Sequence, residues 1–188
     1  GAETLKGVGP RVTALLKKAF DLPPGVAEPR VLDFLWHLPT GVVDRRAEPS
    51  VRDAVPGTIA TLALRVLKHK APPRGNRRAP YRVACEDDTG ALDLVFFHAE
   101  RSFIERQLPV GETRYVSGRI EAYGDRLQMV HPDYIVAPEA RDELPMLEPV
   151  YPLTAGLSAK VLGKLTRQAL GEVPRLPEWL PEQLLTAR

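Results

Sequence analysis

Between residues 56 and 137 the sequence is cut into short β-branched and apolar runs, each closed by a turn, and few folds accept that rhythm. Residues 58–68 predict a first strand. The stretch 71–80 reads APPRGNRRAP, too rich in Pro and Arg for regular structure, and predicts a loop. Residues 81–86 predict a second strand. Asp87-Asp88-Thr89-Gly90 puts Asp and Gly where a tight turn wants them. Residues 91–97 predict a third strand and 100–108 a helix. Pro109-Val110-Gly111-Glu112 is a turn before a fourth strand at 113–123, and Gly124-Asp125 turns the chain into a fifth at 126–136.

These runs are too short and too closely turned for parallel strands joined by helical crossovers. Five strands with a helix between the third and fourth is the order of an OB-fold, a small Greek-key barrel. The expected class is therefore α+β, mainly β with helices. Helical patterns flank the barrel. Val12, Leu15, Leu16 and Phe20 recur at helical spacing until Pro23, Pro24 and Gly25 stop them. Val31, Leu32, Leu35 and Trp36 form a second short stripe closed by Pro39. A linker rich in Pro and charge follows at 138–149. Ser158 is placed as the N-cap of a helix with Val161, Leu162, Leu165, Ala169 and Leu170 as its stripe, and 176–185 is a Pro-punctuated tail holding Trp179. The expected organisation is a helical segment over 1–52, the barrel over 53–137, and a linker helix with its tail over 138–188.

Several function classes drop out. No stretch approaches the ~20 uncharged apolar residues of a membrane span, and no basic stretch leads into an apolar one as in a secretion signal. The one cysteine, Cys85, rules out an internal disulfide and a multi-cysteine zinc site, and points to a reducing, cytoplasmic compartment. No G-x-x-x-x-G-K-S/T motif cradles a nucleotide phosphate. His37, His69, His98 and His131 are scattered without metal-ligand spacing and read as structural or surface residues. Asp87 and Asp88 are explained by their turn. No catalytic residue, metal site or cofactor site is expected.

The net charge of +2 says little, but its distribution says more: Asp53 and Glu86 enclose no acidic residue. That interval carries Arg65, Lys68, Lys70, Arg74, Arg77, Arg78 and Arg82, an electrostatic footprint for phosphate or, equally, a solvated loop. On the third strand alternation sends Leu92, Leu94 and Phe96 into the core and Asp93, Val95 and Phe97 outward. The second and third strands form the usual oligonucleotide surface of an OB-fold. There the Phe97 ring either stacks on a base or packs under the next helix against Phe103 or Ile104. Gly7 and Gly9, in Leu5-Lys6-Gly7-Val8-Gly9-Pro10, precede a helix and are either a phosphate contact or a plain helix-start turn.

A set of signatures then resembles the wedge region of the RecG helicases, in family order. They are Leu5-Lys6-Gly7-Val8-Gly9-Pro10, Leu32-Asp33-Phe34-Leu35-Trp36-His37-Leu38-Pro39, Asp44-Arg45-Arg46, Asp88-Thr89-Gly90 and Leu94-Val95-Phe96-Phe97. Met129-Val130-His131-Pro132-Asp133-Tyr134, Pro149-Val150-Tyr151-Pro152-Leu153-Thr154, Gly156-Leu157-Ser158 and Leu176-Pro177-Glu178-Trp179-Leu180-Pro181 complete the set. The resemblance implies a non-catalytic wedge that splits strands at replication forks and Holliday junctions during repair and recombination. It also implies an ATP- and Mg-dependent motor, absent from this sequence, and a monomer. Phe97 is then the ring that stacks at the junction. Where relatives carry a second aromatic, Arg101 stands, with Phe103 the nearest ring. The competing expectation is a protein-interaction module whose groove holds a partner tail, such as that of single-strand DNA-binding protein.

Overall fold

The structure, a computed structural model, describes residues 1–73, 76 and 79–174. Arg74, Arg77 and Arg78 of the basic loop, and the tail at 176–185, lie outside the described residues. In chain order the elements are a 3-10 turn (Ala2–Thr4), α1 (Pro10–Ala19), α2 (Val31–Trp36), β1 (Gly41–Asp44), β2 (Ile59–Lys70), β3 (Tyr81–Glu86) and β4 (Ala91–Phe96). They continue with α3 (Arg101–Gln107), β5 (Thr113–Tyr123), β6 (Arg126–Val130), β7 (Tyr134–Val136), a 3-10 turn (Pro138–Glu143), β8 (Leu147–Val150) and α4 (Ala159–Gly171). They fall into two compact units, Val42–Glu148 and Gly1–Gly41 with Pro149–Arg188. The helical patterns at the two ends of the sequence thus belong to one unit, because they bury the same core.

In the unit Val42–Glu148 the strands run β2-β3-β4-β6-β5, and β5 returns to pair with β2, so the sheet closes on itself. All neighbours are antiparallel except β4 and β6, which are parallel. This is the expected five-stranded barrel with α3 between the third and fourth strands. Closure depends on the long strand β2. Ile59 to Arg65 pair with β5, Arg65 to Lys70 pair with β3, and a bulge between Val66 and Lys68 bends the strand from one partner to the other. Tyr81, Val83, Cys85, Leu92, Leu94, Phe96, Ile104, Val116, Ile120 and Met129 fill the interior.

Two details depart from the alternation. The fifth strand is broken: β6 and β7 both lie along β5 but are separated by His131, which sits at φ +46°, and by Pro132, which has no N–H to give a ladder. Gly118 of β5 makes room for that break, since a Cβ there would come within 2.8 Å of Met129 Sδ and 3.3 Å of Pro132 Cα. Val95, expected outside, is buried, in register with Val130 of β6. Val95 is not among the residues of the barrel core, and Arg82 of β3 and Val130 of β6 flank it in the sheet.

Cys85 is buried in this interior, and desolvation, then the Asp93 carboxylate, pushes its thiol up to about 12. Since the thiolate is the reactive form, the native chain is expected to show no alkylation at neutral pH, and one equivalent after denaturation. Mass spectrometry of iodoacetamide-treated chain checks this, and rapid labelling of the native form would contradict it.

The helical unit buries Leu5, Leu16, Phe34, Leu162, Leu165 and Ala169 together. Ser158 caps α4 by accepting Val161 N–H at 3.3 Å, as its sequence position implied. The stripes need correction. In α2 it is Phe34 that is buried, edge-on to Phe20 at 4.8 Å, while Leu32 and Trp36 are exposed, Trp36 at 75%. The phase is set by Asp33, whose carboxylate accepts the Arg30 N–H at 2.7 Å and ties the start of this short helix. On α4, Val161 and Leu170 likewise face out. Among the described residues no helix is long and apolar enough to cross a membrane.

Candidate nucleic-acid interface

One rim of the barrel gathers the end of β2, the start of β3 and the end of β4, because antiparallel register puts those termini side by side. Lys70 lies opposite Arg82, and Arg82 opposite Val95. With strands about 4.8 Å apart and about 3.3 Å of rise per residue, the Cα atoms of Lys70 and Phe97 are roughly 12 Å apart. Lys68 and Lys70 project outward, and among the described residues neither has an ion-pair partner.

Phe97 follows the last residue of β4 and is 40% exposed, whereas Phe96 is in the core. Alternation places the two rings on opposite sides, and the backbone fixes the outcome. The Phe97 N–H donates to Nε2 of His131 at 3.1 Å, and His98 then turns the chain at φ +55°. The Phe97 ring sits 5.9 Å from the His131 ring, tilted by 37°. Ile104 of α3 is buried in the barrel and Phe103 is exposed. Among the described residues the aromatic partner of the Phe97 ring is His131, not Phe103.

Arg101 opens α3 and is exposed, but its Nε donates to Glu105 Oε1 at 2.7 Å. Glu105 is also within 3.4 Å of the Tyr81 hydroxyl, which contacts Nδ1 of His69 at 3.0 Å, while Nε2 of His69 meets the Leu108 carbonyl at 2.8 Å. Arg101, Tyr81, Phe96, His98, Pro72 and Ala79 line a groove of about 480 Å³, which the Phe97 side chain does not line. Arg82 is engaged on the sheet face. It approaches Asp93 at 3.6 Å, donates to Gln128 at 3.3 Å and lies over the Tyr123 ring at 5.2 Å. Of the cations expected here, Lys68 and Lys70 stand unpaired among the described residues, Arg101 is paired but exposed, and Arg82 is committed to the sheet face.

The other sequence candidates have plain geometry. Gly7 takes φ +101°, which a side chain would resist, and the Lys6 peptide is held from both sides by Gln168, at 2.9 and 3.2 Å. The 3-10 turn Ala2–Thr4 lies before it in the described residues, and Gly9 and Pro10 start α1. Asp87 builds its turn by accepting from Thr89 N–H at 2.7 Å and Gly90 N–H at 2.9 Å.

Two groups escaped sequence reading. His131 lies at the surface, as its sequence position implied, and what the sequence does not show is its hydrogen bond to the backbone of the candidate stacking residue. Arg45, 4% exposed, pairs with Asp133 at 3.0 Å and Glu148 at 2.9 Å and donates to Ser117 Oγ at 3.2 Å. Its guanidinium carbon lies 4.9 Å from the centre of the Tyr134 ring. The Tyr134 hydroxyl donates to Glu148 at 2.9 Å, and burial, then that carboxylate, pushes the phenol up to about 12. The motifs Asp44-Arg45-Arg46 and His131-Pro132-Asp133-Tyr134 were both visible. Nothing in either motif alone shows that the two meet.

A family model, the RecG wedge domain, matches residues 3–173. The ATP-dependent DNA helicase RecG of Escherichia coli K12 is 31% identical over 167 residues, covering 82% of this chain and 22% of the relative. That of Acidithiobacillus ferridurans is 28% identical over 183 residues, covering 96% of this chain and 25% of the relative. The chain thus spans about a quarter or less of the length of these relatives. A solved structure, described as RecG bound to a three-way DNA junction, superposes with a TM-score of 0.74 at 22% identity, over 97% of this chain and 24% of that one, and shares its fold.

Proposed function

We propose that this chain, which belongs to the RecG wedge domain family, is a non-catalytic module that binds branched DNA and holds strands apart at the branch point. The observation behind the reading is Phe97: a partly exposed ring at the rim of a closed barrel, with its backbone pinned and, on the same rim, two lysines unpaired among the described residues. Separating a base pair loses stacking of about 1.4 kcal/mol per step. An aromatic ring replaces it, at about 1–3 kcal/mol per base and with little sequence preference. A closed barrel is a stiff mount for that ring. Lys68 and Lys70, with Arg74, Arg77 and Arg78 of the basic stretch that follows them in sequence, supply the charge that meets the backbone phosphates. The relatives are named ATP-dependent DNA helicases. In this reading the motor that hydrolyses ATP lies in the remainder of such a protein, and the wedge itself turns over no ATP.

The test compares binding of this chain to a three-way fork and to linear duplex of equal length, over a range of salt. Affinity should fall steeply with salt as cations displace counterions, and the fork should be preferred. Phe97→Ala should weaken fork binding about tenfold and leave duplex binding unchanged, as expected for a lost stacking contact near 1.4 kcal/mol. Equal fork affinity for parent and variant would remove Phe97 from the function. Affinity for an acidic partner peptide without affinity for either DNA would replace the reading with the protein-interaction one.

A further inference from the structure

We infer that His131 is a positioning residue that aims the Phe97 ring, by completing the ladder of β4 where its partner strand has turned away. The inference rests on Phe97 being the stacking residue. β4 and β6 run parallel in register from Leu92 with Leu127 to Val95 with Val130. The His131 N–H then donates to the Val95 carbonyl at 2.9 Å. One residue on, Pro132 carries the chain out of β6, so no backbone carbonyl of that strand continues the ladder for Phe97 N–H. The imidazole takes its place, with Nε2 accepting at 3.1 Å. An accepting Nε2 has a free lone pair, so in the neutral ring the proton is on Nδ1.

The same ring separates the two phenylalanines. Phe96 meets it edge-on at 6.2 Å and 88°, Phe97 at 5.9 Å and 37°. Both histidines that frame Phe97 in space, His98 and His131, hold left-handed backbone, which non-glycine residues adopt rarely and which persists only where surroundings enforce it. The enforcement is on view. Asp133 donates its N–H to the Ser117 carbonyl at 2.9 Å, and its carboxylate meets Arg45 at 3.0 Å. Gly118 leaves the space that Pro132 occupies. The loop carrying His131 is thus tied on its far side to a buried guanidinium, and on its near side it ties Phe97.

A purely structural His131 would affect stability and all DNA binding alike, and a double-mutant cycle separates the two roles. His131→Leu keeps bulk without an acceptor. His131→Gln carries Oε1 the same number of bonds from Cβ as Nε2, and both variants meet the same left-handed backbone. His131→Leu should weaken fork binding by about three- to tenfold, the worth of one hydrogen bond, and leave duplex binding unchanged, while His131→Gln should stay within about twofold of the parent on the same scale. In a Phe97→Ala background, His131→Leu should have no further effect. Should Phe97→Ala weaken fork binding and His131→Leu not, or should their effects multiply, the positioning role is overturned while the wedge reading stands. No effect of Phe97→Ala would overturn the wedge reading itself. A nitrogen NMR spectrum of the parent chain tests the bond without any variant: a protonated Nε2 on the neutral His131 ring would refute it.

Discussion

Leu94→Ala is expected to lower the unfolding free energy of the chain by an amount in the upper half of the range of about 2–5 kcal/mol for such core truncations. Leu94 is fully buried, and in the ladder it lies between Val83 of β3 and Met129 of β6. The size of the loss depends on how far neighbours can collapse into the gap. Here they cannot move far, because every strand around the barrel is hydrogen-bonded on both edges and inward movement of one would break ladders on two. A domain of this size typically holds only about 5–15 kcal/mol in total, so the change takes a large share of it. Urea denaturation followed by circular dichroism should show a lower midpoint with an unchanged slope, and Cys85 should become reactive at correspondingly lower urea. Leu170→Ala on the exposed face of α4 is the control, expected within about 0.5 kcal/mol of the parent. A Leu94→Ala change below about 1 kcal/mol would mean that the barrel interior relaxes far more than closed ladders permit.

The barrel was legible because its information is local. Turn residues at 87–90, 109–112 and 124–125 mark where strands must end, and runs of that length admit few alternatives to a small closed sheet. The outward direction of Phe97 followed from period-two alternation starting at Leu92. Alternation gave the side of Val95 but not its burial, which goes with its place between β3 and the parallel partner β6. That pairing joins residues more than thirty positions apart, and no run of neighbours encodes it. The break in the fifth strand was signalled by His131-Pro132 but not its conformation, since a left-handed histidine is imposed by the Arg45 cluster and by the missing side chain of Gly118. In α2 the stripe was misphased because the capping carboxylate of Asp33 and its bond to Arg30 decided which face turned inward. The cations were visible as a composition, and Lys68 and Lys70 stand as that composition suggested. Arg82 and Arg101 show the limit, because whether a cation is available to a phosphate depends on the carboxylates opposite it, here Asp93 and Glu105.

Arg45→Met should cost about 3 kcal/mol of stability, near the lower end of what is seen when one member of a buried ion pair is removed. The guanidinium is 4% exposed and meets Asp133, Glu148 and Ser117 while lying over Tyr134. Its Nε has no hydrogen-bond partner among the described residues, so the cluster is not fully satisfied. Its contribution therefore comes from the two carboxylates and the ring. Removing the charge leaves Asp133 and Glu148 without their shared partner, both more exposed than Arg45, and water repays part of the loss, which places the expectation at the low end. Arg45→Lys should recover less than half, since a single ammonium cannot reach two carboxylates and a hydroxyl in one plane or cover the Tyr134 face as a guanidinium does. Arg45→Met with Glu148→Gln should be more stable than Arg45→Met alone, because the second change removes one of the two unmatched charges. Thermal and urea unfolding of the three variants measure this directly. A double variant less stable than Arg45→Met would show that the carboxylate of Glu148 holds the cluster by itself, through Tyr134, and that the guanidinium is secondary. The same proteins bear on the wedge. Asp133 is two residues from His131, so Arg45→Met should also lower fork preference at temperatures where the chain is still folded, and Arg45→Lys should follow it. Fork preference unchanged in a folded but destabilised Arg45→Met would separate the two functions of the loop, leaving Pro132 and Gly118 as the parts that fix His131.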